Sequence, residues 1–248
     1  MSKSNTNIID SFKKSIESTV KAIAKDANIS LIFGQKASPE KYNINLPDIS
    51  EKNYFSDKTI VRGESDSASL IKRFHNIEMH KEMKPDNTES EKIFNKIEFL
   101  RCELIGSAQL PGVKKNLLKI DQINIKNTLN KNETLSKEDT FKLILKNYIS
   151  NTSLPEEFFT ISDPIIKPLT KVLKKKKVNF QKYIDSQKKF SKFALDLIKL
   201  VEKETKKSEK EDQIKTDDED KQNELEEQKQ ESNEESIQQF TTDSIDQF

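Results

Sequence analysis

Arginine, histidine, cysteine and glycine are scarce in this 248-residue chain, and almost all of them fall between Val61 and Val113. The arginines are Arg62, Arg73 and Arg101, the histidines His75 and His80, and the cysteine Cys102; three of the four glycines are Gly63, Gly106 and Gly112. Elsewhere Lys supplies the positive charge, and Asn, Ile and Ser abound. Such usage fits drift in an AT-rich genome, in which Lys replaces Arg wherever a plain ammonium suffices. An Arg kept against that drift marks a position that needs a planar guanidinium with several donors. A Gly kept against it marks unusual backbone angles or a close approach. Val61–Val113 is therefore the stretch with the tightest demands.

Hydrophobic residues make up 33% of the chain and charged residues 34%, and Trp is absent. Globular domains usually approach half apolar, so part of this chain is expected not to pack. The net charge of +1 hides a split: Lys203–Phe248 holds 16 acidic and 7 basic residues, a balance of −9, which leaves +10 before it. A basic body joined to an acidic tail suits self-screening or two different partner surfaces. The tail cannot bury enough apolar surface to offset about 1–2 kcal/mol of backbone entropy per residue. The expected organisation is a helical domain over residues 1–202 and a disordered acidic tail over 203–248. One Cys excludes an internal disulfide, Met1–Asp10 lacks the apolar core of a signal peptide, and no run approaches the ~18–20 apolar residues of a membrane span. A soluble, cytoplasmic protein without a membrane partner is expected.

Apolar spacing predicts a mainly α fold, a helical bundle with a small N-terminal β-hairpin. Ile9, Phe12, Ile16, Val20, Ile23 and Ala27 recur every three or four residues, which places an amphipathic helix over Ile8–Ala27. Ile29–Phe33 reads as a strand closed by Gly34, with Tyr42, Ile44 and Leu46 as its partner strand before Pro47. Ser50–Thr59 reads as loop, and Ser65 or Asp66 as the cap of a helix carrying Leu70, Ile71 and Phe74 inward. A break at His75–Asn76 precedes a short helix with Ile77 and Met83, and Lys84-Pro85-Asp86-Asn87 is a turn. A strong helix then carries Ile93, Ile97, Leu100 and Leu104; Gly106 and Pro111-Gly112 punctuate its end, and Val113–Leu129 is helical again. Ser136 with Asp139 forms a capping arrangement before Phe141, Ile144, Leu145 and Tyr148. Pro155, Pro164 and Pro168 divide the next stretch, and Phe180–Glu202 is the last strong helix.

Few residues invite chemistry. Arg62, Arg73 and Arg101 suit contact with a partner's carboxylates, or internal pairing with Glu64, Glu98 or Glu103. His75, His80 and Cys102 raise a metal reading, but a spacing of five does not put two His on one helical face unless the chain breaks between them. Cys102 reads more simply as a small buried apolar residue. Gly106–Gly112 is either a turn or a close-approach surface for another subunit. Four glycines exclude a Gly-x-x-x-x-Gly-Lys-Ser/Thr phosphate cradle, and Lys171 with Lys174–Lys177 is a basic run that reads as a solvated linker or face, or else as a surface for nucleic acid, an acidic partner or the acidic tail. No Ser/His/Asp, Cys/His or paired-carboxylate arrangement has local support, so neither catalytic nor metal residues are assigned.

Several words of the Val61–Val113 block belong together. They are Ile60-Val61-Arg62-Gly63-Glu64-Ser65-Asp66-Ser67-Ala68-Ser69-Leu70, then Phe74-His75-Asn76 with His80 and Pro85-Asp86-Asn87. Phe99-Leu100-Arg101-Cys102-Glu103-Leu104-Ile105-Gly106-Ser107 and Pro111-Gly112-Val113-Lys114-Lys115-Asn116-Leu117 follow. Together they resemble the N-terminal region of CobT, a subunit of the aerobic cobaltochelatase, and similarity in character extends over about Ile8–Glu202, including Asp185, Gln187, Lys188 and Phe190-Ser191 near its end. The resemblance implies a role in inserting cobalt(II) into hydrogenobyrinic acid a,c-diamide during cobalamin synthesis. Its partners would be a CobS-like AAA+ ATPase and a CobN-like large subunit; cobalt(II), ATP and Mg²⁺ would be used by the complex, with no cofactor bound by this chain. It makes Arg62, Arg73, His75, His80, Arg101, Gly106 and Gly112 candidates for partner docking or for structure. It also implies a von Willebrand A-type domain after the acidic linker, whose Asp-x-Ser-x-Ser motif this sequence lacks; a truncated, split or fragmentary product is the expectation. The alternative is a stand-alone helical scaffold whose basic body binds nucleic acid or acidic partners, which the acidic tail disfavours by competing for that surface.

Overall fold

The computed structural model describes residues 3–35, 38–39, 43–151, 153–161, 164–176 and 180–208. The chain divides into two units, Met1–Val201 and Glu202–Phe248. Of the second, only 202–208 is described, and it is helical. The expected tail begins at 203, so residues 203–208 depart from that reading, and 209–248 lie outside the described residues.

The first unit is mainly helical, as the apolar spacing predicts. Helix α1 covers Lys3–Ala24 and buries Phe12, Ile16, Val20 and Ile23, four members of its predicted stripe. A small sheet follows, with strands β1 (Ser30–Phe33), β2 (Ser38–Pro39) and β3 (Asn43–Leu46). The two predicted strands do pair, but not as a hairpin: β1 and β3 run parallel, Ser30 facing Asn43 and Phe33 facing Leu46. The antiparallel neighbour of β3 is β2, which puts β3 in the middle of the sheet. Tyr42 lies outside the described residues. Ile44 and Leu46 on β3 meet Phe12, Ile16 and Val20 of α1 in an N-terminal core.

Helix α2 covers Tyr54–Phe74, so the expected loop over Ser50–Thr59 gives way to helix from Tyr54, and Ser65 and Asp66 are mid-helix rather than caps. Their polar groups are satisfied within the fold. Ser65 Oγ donates to the Arg62 carbonyl (2.9 Å), Ser69 Oγ donates to the Ser65 carbonyl (2.5 Å), and Asp66 accepts from the Asn116 side chain (2.8 Å). Hydroxyls that bond back to the preceding turn let serine sit inside a helix. The buried face of α2 mixes Gly63, Ser65, Ala68 and Ser69 with Val61, Leu70 and Ile71. Small residues there bring neighbouring helices close.

Helix α3 covers Ile77–Met83 and is capped by Asn76, whose side chain accepts from Met79 N. Helix α4 covers Thr88–Gln109, its first turn capped by Asn87 accepting from Glu89 N and Ser90 N. Helix α5 (Pro111–Asn130) starts with proline at its first turn, where the missing N–H costs nothing. Helix α6 (Lys137–Ser150) is capped by Ser136, which accepts from Asp139 N and donates to the Asp139 carboxylate. Short helices α7 (Glu156–Thr160), α8 (Ile166–Lys176) and α9 (Gln181–Ile184) follow, then α10 over residues 187–208. The predicted last helix is therefore interrupted at Asp185–Ser186. The basic run lies on α8, whose Leu169, Val172 and Leu173 are buried while Lys174 and Lys175 are exposed; Lys177 is outside the described residues. The largest core joins α4 and α6 to α8, α9 and α10 through Phe94, Phe141, Leu169 and Phe190.

Gly106 lies within the last turns of α4 rather than beyond its end. A Cβ at this position would overlap the fully buried Leu70 side chain of α2. At Gly63 a Cβ would fall 2.9 Å from Ile120 Cβ of α5. These two glycines set how closely α2 approaches α4 and α5. Gly112 is different: it is exposed in the first turn of α5, with open space around it. Gly106→Ala is therefore expected to destabilise the fold by about 1–3 kcal/mol through overpacking. Gly112→Ala should be neutral or stabilising by up to about 0.5–1 kcal/mol. Urea denaturation of the two variants checks the contrast, and equal midpoints would contradict it.

Candidate functional site

The arginine most deeply committed to the fold is Arg101 on α4, 2% exposed, beside Glu98, also 2% exposed. Three residues apart on one helix, they face the same way. Arg101 Nε donates to Glu98 Oε2 (2.9 Å), and Nη2 donates to Glu98 Oε1 (2.7 Å). Nη2 also donates to the carbonyl of Phe74, the last residue of α2 (2.7 Å), and Nη1 donates to the carbonyl of Ile184, the last residue of α9 (3.2 Å). Helix ends leave carbonyls without internal partners. One guanidinium here serves two of them and a carboxylate, which the three donors of a lysine ammonium at a single point cannot reproduce.

The network widens through the break after α2. His75 Nδ1 lies 3.1 Å from Glu98 Oε1. Asn76 exchanges two bonds with Gln187 of α10: its N–H donates to Oε1 (2.7 Å) and its carbonyl accepts from Nε2 (2.9 Å). Burial alone would raise the Glu98 carboxyl, but the bonds from His75 and Arg101 outweigh it and hold it below the ordinary value. Burial, reinforced by the Glu98 charge, pushes the Cys102 thiol well up. Cys102 is fully buried and protonated, as an apolar core residue.

The break at His75–Asn76 does bring the two histidines together, their ring centroids 4.8 Å apart and edge to face. His80 stacks on Phe94 and its Nε2 lies 2.6 Å from Asn95 Oδ1. With that oxygen accepting, Nε2–H donates, and the buried Nδ1 is an acceptor without a hydrogen bond among the described residues. Burial lowers the His80 pKa, against the Asn95 bond. Among the described residues no group of three or more His, Cys, Asp and Glu is placed to hold a metal ion.

The other two arginines are placed differently. Arg73 Nη1 donates to the Ile23 carbonyl at the end of α1 (3.2 Å), and its guanidinium lies over Phe74. Arg62 sits over the Phe12 ring, half-buried, and its guanidinium makes no hydrogen bond or ion pair among the described residues. Of the internal pairings open in the sequence, the structure makes Arg101 with Glu98. Glu103 is held instead by α6: its Oε1 accepts from Lys142 Nζ and from Ser67 Oγ of α2, both at 2.8 Å. Lys146 bonds Asp121 of α5 at 2.5 Å and lies 3.8 Å from Glu103 Oε2. Against the cost of burial, Lys142 and Lys146 bring the Glu103 pKa down to about 2, and Glu103 and Asp121 raise that of Lys142. Burial pushes Asp121 up although Lys146 and Lys142 pull the other way. This second network is absent from the sequence reading. Its one visible signal is that Lys142 and Lys146 follow Phe141 and Leu145, one turn apart on the core side of α6.

These arrangements define a helical body tied together by two buried ionic networks. The model of one protein family, described as cobalamin biosynthesis protein CobT, matches residues 6–247. The chain belongs to that family. No solved structure matches it. Among the described residues no helix is long and apolar enough to cross a membrane.

Arg101→Lys is expected to cost about 2–4 kcal/mol, since charge-assisted bonds to two carbonyls are lost inside the fold; a thermal midpoint equal to wild type would contradict the network. Glu103→Gln should cost about 3–5 kcal/mol near neutral pH by leaving the Lys142 ammonium without its carboxylate inside the fold. Because the folded Glu103 pKa is lowered from 4.5 to about 2, its contribution is present above 4.5 and lost as pH falls toward 2. The gap between wild type and Glu103→Gln should thus shrink over that interval in denaturation curves.

Proposed function

We propose that this chain is the coupling subunit of an ATP-dependent cobaltochelatase. It binds a CobS-like AAA+ ATPase and a CobN-like large subunit, and passes the ATPase's movement to the subunit that inserts cobalt(II), the substrate ion, into hydrogenobyrinic acid a,c-diamide. The observation that carries this reading is the family match over residues 6–247. ATP and Mg²⁺ are handled by the ATPase, and this chain contributes binding surfaces and stiffness. A subunit that relays movement must transmit force without melting, and the Arg101 network supports that role by clamping the ends of α2 and α9 onto α4.

The docking face we assign lies where α1 meets the start of α2. Phe55 is 84% exposed and Ile8 48% exposed. Lys58 and Arg62 stand beside them over the Phe12 ring. Exposed aromatic and aliphatic groups beside half-buried cations that form no ion pair among the described residues suit a partner surface that offers apolar residues and carboxylates.

Co-expression with CobS-like and CobN-like subunits is expected to yield a complex containing all three. Cobalt insertion, followed by the tetrapyrrole's absorbance, should require this chain and ATP together. Phe55→Asp should weaken assembly about tenfold or more without lowering the thermal midpoint, since Phe55 is exposed. Absence of any complex, with cobalt insertion proceeding equally well without this chain, would end the proposal.

A further inference from the structure

A cleft opens between α2, α4, α5 and α6, with a cavity of about 510 Å³. That lies within the usual range of roughly 300–1,000 Å³ for small-ligand sites. Three ion pairs contribute to its walls, Lys96 with Asp139 at 2.6 Å, Lys142 with Glu103 at 2.8 Å, and Asp121 with Lys146 at 2.5 Å. Lys131 and Glu133 also line it, both exposed and without an ion pair among the described residues. The unmatched charge away from open solvent is Glu64 of α2. It lines the cleft, is half-buried, and has neither a hydrogen bond nor an ion pair among the described residues. Deeper in the wall, Glu103 is 2% exposed and its Oε2 has no hydrogen-bond donor among the described residues, the Lys146 ammonium lying 3.8 Å away. Between the charges one stretch of wall is apolar, with Ala68, Ile71, Phe99 and Leu117, beside the polar Asn124, Asn127 and Thr128.

We propose that this cleft is a binding site for an organic cation, an ammonium or guanidinium on a short methylene chain, whose head pairs with Glu64 and whose stem lies on the apolar wall. A bare metal ion does not suit it, because no three carboxylates converge among the described residues and the Lys142 ammonium stands among them. A methylene stem suits the Phe99 and Leu117 surfaces, and the head supplies the donors Glu64 lacks. Burial raises the Glu64 carboxyl above its ordinary value; the facing groups are Lys142 and Lys96, which oppose the rise, and Glu103 and Asp121, which add to it. An ionised Glu64 therefore costs the empty fold stability, and that cost is recovered when a cation enters. Unpaired charge kept at the expense of stability is a mark of binding sites. The site stands on this chain's geometry alone and does not depend on the chelatase reading.

The same chemistry reaches the cleft from a free small amine or from a Lys or Arg side chain of another protein. Calorimetric titration of the full chain with cadaverine, agmatine and Ac-Ala-Lys-Ala-NH₂, with 1,5-pentanediol as the neutral control, separates them. At least one cation should bind saturably at one site while the diol does not, and Glu64→Gln should weaken that binding by about tenfold or more. Tighter binding of the peptide assigns the site to a protein side chain, and tighter binding of the free amines to a small molecule. No saturable binding by any of the three cations, or equal binding by the diol, overturns the proposal and needs no variant. A second readout is stability. The folded Glu64 pKa is raised, so its penalty is absent at low pH and grows as pH rises through that value. Glu64→Gln should melt above wild type near neutral pH and level with it in acid; a variant less stable at every pH would make Glu64 a structural residue and overturn the assignment.

Discussion

The Arg101 guanidinium is the point at which four stretches of chain meet. It reaches Glu98 on its own helix, the end of α2 at Phe74 and the end of α9 at Ile184. His75 joins through Glu98, and Gln187 holds the peptide of Asn76 on both sides. A buried ion pair adds little net stability over an apolar pair of the same shape, but it is costly to break once built. Its value here is geometric, because the donors of one rigid fork fix where two helices end against a third. The turn from α2 into α3 and the approach of α9 and α10 follow from that.

Small residues at the contacts of α2 complement this clamp. Gly63 and Gly106 remove the side chains that would hold α5 and α4 away, and Ser65, Ala68 and Ser69 keep the rest of the face thin. Close backbones leave the remaining charged groups shielded from water. That is why Lys142 and Lys146 of α6 reach Glu103 and Asp121 inside the body rather than remaining on its surface. The same closeness leaves Glu64 facing the cleft without an ion pair among the described residues.

Much of the fold is legible in the sequence where large apolar residues repeat. The stripe of α1, the stripe of α4, the turn at Lys84–Asn87, the Ser136 cap and the break at His75–Asn76 all follow from side-chain chemistry close in the chain. Helix α2 begins eleven residues before Ser65, at Tyr54, where the sequence reads as loop. Its inner face is partly built of Gly, Ser and Ala, so hydrophobic period alone does not reveal it. The sense of β1 against β3 is set by which edge β2 occupies, which two short apolar alternations do not encode. At the candidate site the special status of Arg101 and Gly106 was visible in their retention against a Lys-rich, Gly-poor background. The roles of Glu64, Gln187 and Lys142 were not, because their significance comes from neighbours far away in the chain.

Cys102 has one further consequence. It is fully buried where α2, α4 and α5 share a core with Leu70, Val113 and Leu117, and its thiol is held protonated. Reagents that attack thiolates meet neither the charged form nor an open path. That thiol is thereby shielded from mild oxidants. The rate at which its lone sulfur becomes labelled is a clock for how often the junction of these three helices breathes open, with no background from any other thiol in the chain.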